Sequence, residues 1–314
     1  MTTSGSLDDD PADRPMSPAL AEAYAHVEAT VRRQDPDRWL AGLWAPADRR
    51  RHLYALYAFS GEVARVRDAV SDPLPGEVRL RWWADVLAGT RGSEGEGHPV
   101  AACLLDTIAR FGLPREPLDR LIEARIFDLY DDPVPSLDAL DTYCEETVAP
   151  LIELGCRILS RASESASVST ALAVSARSAG RAWGLTGLLR SMPFHASRGQ
   201  IFLPADLMSA HGIRREDVLN GRSSPGLVAL LADLRAHVRA ALRETRRMIP
   251  AVPTTCAPAY LAVALVEPLL ERMDRLGGDP FTVSAELPPW RRLVRLWWAA
   301  RRARRAGRLG VDEG

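Results

Sequence analysis

The sequence predicts an all-α chain, and three observations carry that reading. Apolar residues recur at 3–4 spacing over long stretches, strand-type alternation is poor, and Ala, Leu and Arg dominate. No period of 20–50 residues repeats, which excludes a helical solenoid.

The elements follow in order. Met1 to Met16 is polar, acidic and broken by proline, so a disordered N-terminus is expected there. A first helix is predicted over Ser17–Arg33, stopped by Asp35-Pro36. Pro46 suits the first turn of a second, Ala47–Ser71. There Leu53, Leu56, Tyr57, Ser60, Val63, Val66 and Val70 share a stripe that ends at Asp72-Pro73. A third helix covers Gly76–Leu87, with Trp82 and Trp83 as core and interface anchors. Thr90–Pro99 reads as a flexible loop, because three glycines and a proline fall within ten residues. Further helices are predicted over Val100–Phe111, Glu116–Leu129, Leu137–Cys144 and Val148–Arg161. Short turns at Ala205–Ala210 and Arg215–Leu219 lead into long helices Pro225–Met248, Ala257–Leu276 and Leu287–Arg305. One all-α domain, 17–306, followed by a short tail, 307–314, is the expected organisation.

The organising stretch is Gly180–Pro204. Ala176, Gly180, Gly184 and Gly187 fall on one helical face. Each interior glycine costs roughly 1 kcal/mol against alanine, so something must offset the loss. Two readings compete: close backbone contact with a neighbouring helix, or small residues hollowing the wall of an apolar cavity. Pro193 should kink or stop this helix, because it lacks a backbone donor.

Charge and composition exclude several classes. The formal net charge is -1, against general nucleic-acid binding. All 40 basic residues are arginine, a bias across the whole chain rather than a site. Cys103, Cys144, Cys156 and Cys256 lie far apart, as buried thiols do in a reducing compartment. No run of 18 apolar residues occurs. The acidic N-terminus lacks the pattern of a secretion signal or a transit peptide. A cytoplasmic protein is expected, or one held peripherally on the inner face of the cytoplasmic membrane. The peripheral alternative comes from the last helix. Trp290, Leu293, Val294, Trp297 and Trp298 make an apolar face among Arg291, Arg292, Arg295, Arg301, Arg302, Arg304, Arg305 and Arg308. Such a helix either lets cations complement its dipole or rests on anionic lipid.

Two stretches carry a family resemblance. YALYAFSGEVARVRDAVSD resembles the first signature of the squalene/phytoene synthase family, Tyr-Ala-Phe followed by an Asp-Asp-x-x-Asp cluster. Anchored on Tyr57-Ala58-Phe59, that cluster falls on Ala64, Arg65 and Asp68. GRAWGLTGLLRSMPFHASRGQIFLP resembles the second signature, whose Asp-x-x-Glu-Asp cluster falls on Ser191, Phe194 and His195. The following Gly-Arg-x-Tyr-Leu-Pro of active members corresponds to Gly199, Gln200, Ile201, Phe202, Leu203 and Pro204.

The resemblance implies an isoprenoid-synthase-type helical bundle around a central cavity. In active members, two acidic clusters hold magnesium ions that hold two prenyl diphosphates. Here six carboxylates are reduced to one, Asp68, and Arg65 would repel a metal. No metal, no cofactor and no catalytic residue are therefore expected. Glu62–Asp68 and LLRSMPFHASRG resemble the branch containing assembly factors of mitochondrial NADH:ubiquinone oxidoreductase (complex I). That implies a non-catalytic role with complex I subunits as partners, in a bacterial relative. Two other readings stay open. In one, a magnesium-dependent prenyl diphosphate transferase gathers its metal on Asp68, Asp72 and Glu62, with Arg190, His195 and Arg198 on the diphosphate. In the other, Tyr57, Arg65, Arg67, Asp68, Arg190, His195 and Arg198 border a mouth for a phospholipid or isoprenoid headgroup. Against both, the arginines are paired with Glu62, Asp68 and Asp72, and Asp72 merely ends a helix before proline.

Overall fold

The computed structural model describes residues 16–160, 166–281 and 285–309, and these contain helices and no strand. The expected N-terminal disorder lies almost wholly outside them, as does the tail beyond Leu309.

Helix α1 (Pro18–Gln34) starts where the Ser17 hydroxyl accepts from the Leu20 amide, at 3.2 Å. Asp35 ends it and caps α2 (Pro36–Gly42). Helix α3 (Ala47–Ala64) stops well short of the predicted Ser71, and Arg67–Ala69 forms a separate 3₁₀ turn. No glycine or proline forces that break. Distant partners hold it, because Arg67 pairs with Asp131 and Asp68 with Arg198. Helix α4 (Pro73–Leu87) begins at its proline. The expected loop after it contains α5 (Gly92–Gly97), where the Trp82 indole donates to Glu94 at 3.1 Å. Helices α6 (Pro99–Phe111) and α7 (Glu116–Ile126) follow, the latter closing in a 3₁₀ turn, Phe127–Leu129.

Helix α8 (Leu137–Leu159) is continuous where two helices were predicted. Pro150 inside it costs about 3 kcal/mol of helix stability. Burial of Leu151, Leu154 and Ile158 offsets that, at up to about 1.5–3 kcal/mol per side chain. Helix α9 (Ala166–Ala196) is the longest and likewise runs three residues past Pro193. It packs on α8 and on α12 (Pro225–Met248), with α10 (Ala205–Ala210) and α11 (Arg215–Leu219) between. The predicted helix Ala257–Leu276 is broken into α13 (Ala257–Tyr260), a 3₁₀ stretch Leu261–Leu265, and α14 (Val266–Arg275). Pro268 explains the break: it has no N–H for the Ala264 carbonyl, so the helix restarts with proline in its first turn. Helix α15 (Pro289–Leu309) continues through positions expected to belong to the tail.

One buried knot bears on pH. His52 is fully buried between α1, α3 and α6. Arg51 Nε donates to its Nε2 at 3.2 Å, which leaves Nδ1–H to donate to Thr107 Oγ1 at 2.9 Å. Burial first, and the Arg51 charge second, push the imidazole down to about 3. The folded state therefore holds His52 neutral while the unfolded chain protonates near pH 6.5. Stability is full above pH 6.5 and is lost as pH falls from there toward about 3. Urea unfolding at pH 5 instead of 7.5 should show a loss of about 2 kcal/mol through this group. His52→Gln should flatten that slope, and an unchanged slope would remove His52 as its source.

Candidate functional site

The two signature regions meet at one ion pair. Asp68, in the 3₁₀ turn after α3, and Arg198, just beyond α9, lie 2.7 Å apart. The Arg198 guanidinium also sits 4.7 Å over the Phe194 ring. Asp68 is the one carboxylate left at the six acidic positions, and a cation from the other signature occupies it. Arg65 closes α3 with its guanidinium folded over Gly61, whose missing Cβ would lie 3.1 Å from Nη1. Burial lowers this guanidinium from its ordinary value, with Glu62 and Asp68 opposing. Glu62 itself lies 3.7 Å from His98 Nε2. Asp72 is exposed, on extended backbone before Pro73, and makes no side-chain cap.

His195 lies behind the pair. Burial lowers its pKa, and its Nδ1 is buried without a hydrogen-bond partner. Its ring meets the Phe202 ring edge-on, 4.9 Å between centroids. A cavity of about 20 Å³, room for one water, opens beside it among Leu189, Met192 and Phe202. The remaining candidates lie elsewhere. Tyr57 is buried in the core under Arg38, 5.5 Å from its ring centroid. Burial raises its phenol above the ordinary value. Arg190 turns away from Arg198 toward Asp37 (3.1 Å) and Glu286 (3.3 Å).

Sequence reasoning missed a network beneath His195. Arg125 Nη1 donates to Asp128 Oδ2 at 2.9 Å, and the Tyr143 hydroxyl donates to Asp128 Oδ1 at 2.7 Å. Gln200 Nε2 donates to the Asp128 carbonyl at 2.7 Å. Gln200 stands where active members carry arginine, so this substitution completes a buried network. Phe202, at the family's tyrosine, packs against Tyr143 and Phe127. The one available signal was Gln200 itself, a polar residue in an otherwise apolar Ile-Phe-Leu-Pro run.

These donors do not suit magnesium. It wants several oxygen ligands in near-octahedral geometry, and the positions offer Ala64, Arg65, Ser191, Phe194, a buried imidazole and a carboxylate already paired. Among the described residues, no three His, Cys, Asp or Glu side chains gather as a metal site. A pocket of about 300 Å³ lies on the far side of Arg190, lined by Leu189, Phe194, Leu231, Met273 and Phe281. Arg235 on its wall is paired with Asp274 at 2.6 Å.

The comparisons agree with this architecture. A sequence profile described as squalene/phytoene synthase matches residues 31–298. The chain is 29% identical to the rat protein named NADH dehydrogenase (ubiquinone) complex I, assembly factor 6, over 86% of this chain and 79% of that one. It is 28% identical to a Thermus thermophilus phytoene synthase, over 82% of this chain and 86% of the enzyme. A crystal structure of a dehydrosqualene synthase superposes with a TM-score of 0.77 at 19% identity, covering 91% and 98% of the two chains. That likeness gives the isoprenoid-synthase fold expected from the signatures. With both signature regions in place and the profile spanning most of its length, the chain belongs to the squalene/phytoene synthase family.

Proposed function

We propose that the chain is a non-catalytic member of the family that helps to build respiratory complex I, with subunits of that complex as its partners. The observation that carries this reading is the Asp68–Arg198 pair. The last acid of the two clusters is engaged by a cation from the opposite signature, where a transferase needs it free for a metal. The rat relative named as a complex I assembly factor supports the assembly role. The similarity to a phytoene synthase keeps the transferase as the competing outcome.

Two measurements test it. Purified protein with magnesium and farnesyl or geranylgeranyl diphosphate is expected to give no head-to-head C30 or C40 product. Any such product overturns the non-catalytic reading. Deleting the gene is expected to lower assembled complex I and its NADH:quinone activity in membranes, with restoration by the wild-type chain. Normal complex I in the deletion strain would reject the assembly role.

A further inference from the structure

Helix α15 turns most of its surface outward. Its inner side is narrow: Leu296 and Ala300 are buried with Leu261, Leu265 and Leu287, and Arg292 reaches Asp37. Trp290, Leu293, Val294, Trp297 and Trp298 are between 44% and 61% exposed. They make up five of the eleven exposed large hydrophobics among the described residues, within nine positions. Scattered apolar residues on a surface need no explanation, but a cluster of this kind does.

The charges run the same way. The α15 sequence holds eight arginines and no acidic residue, in a chain whose net charge is -1. Arg291, Arg295, Arg301, Arg302, Arg304 and Arg305 form no ion pair with a described residue. Helical spacing puts Trp290, Leu293, Val294, Trp297 and Arg301 on one face. Arg291 lies 5.1 Å over the Trp290 ring, and Arg301 5.3 Å over Trp297. Each guanidinium is thus held at the depth of an indole. Among the described residues no helix is long and apolar enough to cross a membrane.

We propose that the outer face of α15 docks on an anionic lipid surface, lying in the membrane plane. The indoles enter the headgroup layer and the guanidiniums pair with lipid phosphates. Charge complementarity selects this occupant. An anionic bilayer offers a continuous sheet of phosphate with an apolar layer beneath it, which matches a face that is aromatic along one half and cationic along the other. The proposal is independent of the assembly role, since vesicles contain no respiratory complex.

The test is co-sedimentation of the full chain with vesicles of phosphatidylcholine alone and with vesicles that also contain phosphatidylglycerol. Binding is expected only to the second, weakening as salt rises. Each exposed arginine contributes about five-fold to the affinity, so Arg295→Ala/Arg301→Ala/Arg305→Ala should weaken binding about a hundred-fold. Trp290→Ser/Trp297→Ser/Trp298→Ser should weaken it at least ten-fold. These side chains point outward, so both variants should keep the wild-type circular dichroism. Equal partition onto both vesicle types, no sedimentation with either, or variants that bind like wild type would each overturn the proposal. In the non-sedimenting case, self-association abolished by the tryptophan variant would assign the patch to a second copy.

Discussion

Replacing Asp37 by alanine is expected to destabilise the fold by about 3–5 kcal/mol, the range for removing one partner from a buried ion pair. The carboxylate is buried, with Arg190 at 3.1 Å from α9 and Arg292 at 3.1 Å from α15. Glu286 contacts both arginines. Burial raises the Asp37 pKa above its ordinary value, and the two guanidiniums oppose that rise. The carboxylate therefore depends on both, and its loss leaves the two guanidiniums sharing the half-exposed Glu286 carboxylate. Asp37→Asn keeps the shape and should still lose most of the stabilisation. Asp68→Ala is the contrast: its pair with Arg198 is a third to a half exposed and should be worth less than about 1 kcal/mol. Urea midpoints of the three variants decide this, and an Asp37→Ala loss no larger than that of Asp68→Ala would refute it.

The same residues show what the sequence could and could not reveal. The fold class was legible because helical periodicity and capping are local: Ser17, Ser136 and Ser224 each accept from the amide three residues on, as a cap should. The bounds expected for the long helix Pro225–Met248 coincide with those observed. Breaks set by distant partners were not legible. The end of α3 at Ala64 follows from carboxylates and guanidiniums 64 and 130 residues away, which no local rule sees. Continuity through Pro150 depended on burial that only the packed bundle supplies. At the site, the signatures located Asp68 and Arg198 but could not show that they pair. They also placed Arg190 near Arg198 in the chain, although eight residues, about two helical turns, let it face another ion network. Asp128, Tyr143 and Arg125 were invisible because they form their network only after α7, α8 and the loop beyond α9 come together.

The glycine stripe of α9 yields a prediction with opposite signs at neighbouring positions. A Cβ on Gly180 would sit 3.0 Å from the backbone nitrogen of Ala149, and one on Gly184 would sit 2.9 Å from Cys144 Cβ. The Gly184 distance is shorter than real Cβ contacts allow, and the Gly180 distance is tighter than nearly all of them, with backbone as the obstacle. Close helix contact therefore explains these two glycines. Gly187 differs, because a Cβ there would meet nothing within 4 Å. Gly180→Ala and Gly184→Ala should each cost about 1–3 kcal/mol through overpacking against α8, after the helix-propensity gain of about 1 kcal/mol. Gly184→Val should cost at least about 3 kcal/mol, since its two γ-carbons have nowhere to go. Gly187→Ala should instead stabilise by roughly 0.5–1 kcal/mol, because only the propensity term remains. Thermal or urea unfolding of the series tests the pattern. If Gly187→Ala destabilised as much as Gly184→Ala, packing against α8 would not be what separates the two positions, and the close approach of α8 and α9 would need another explanation.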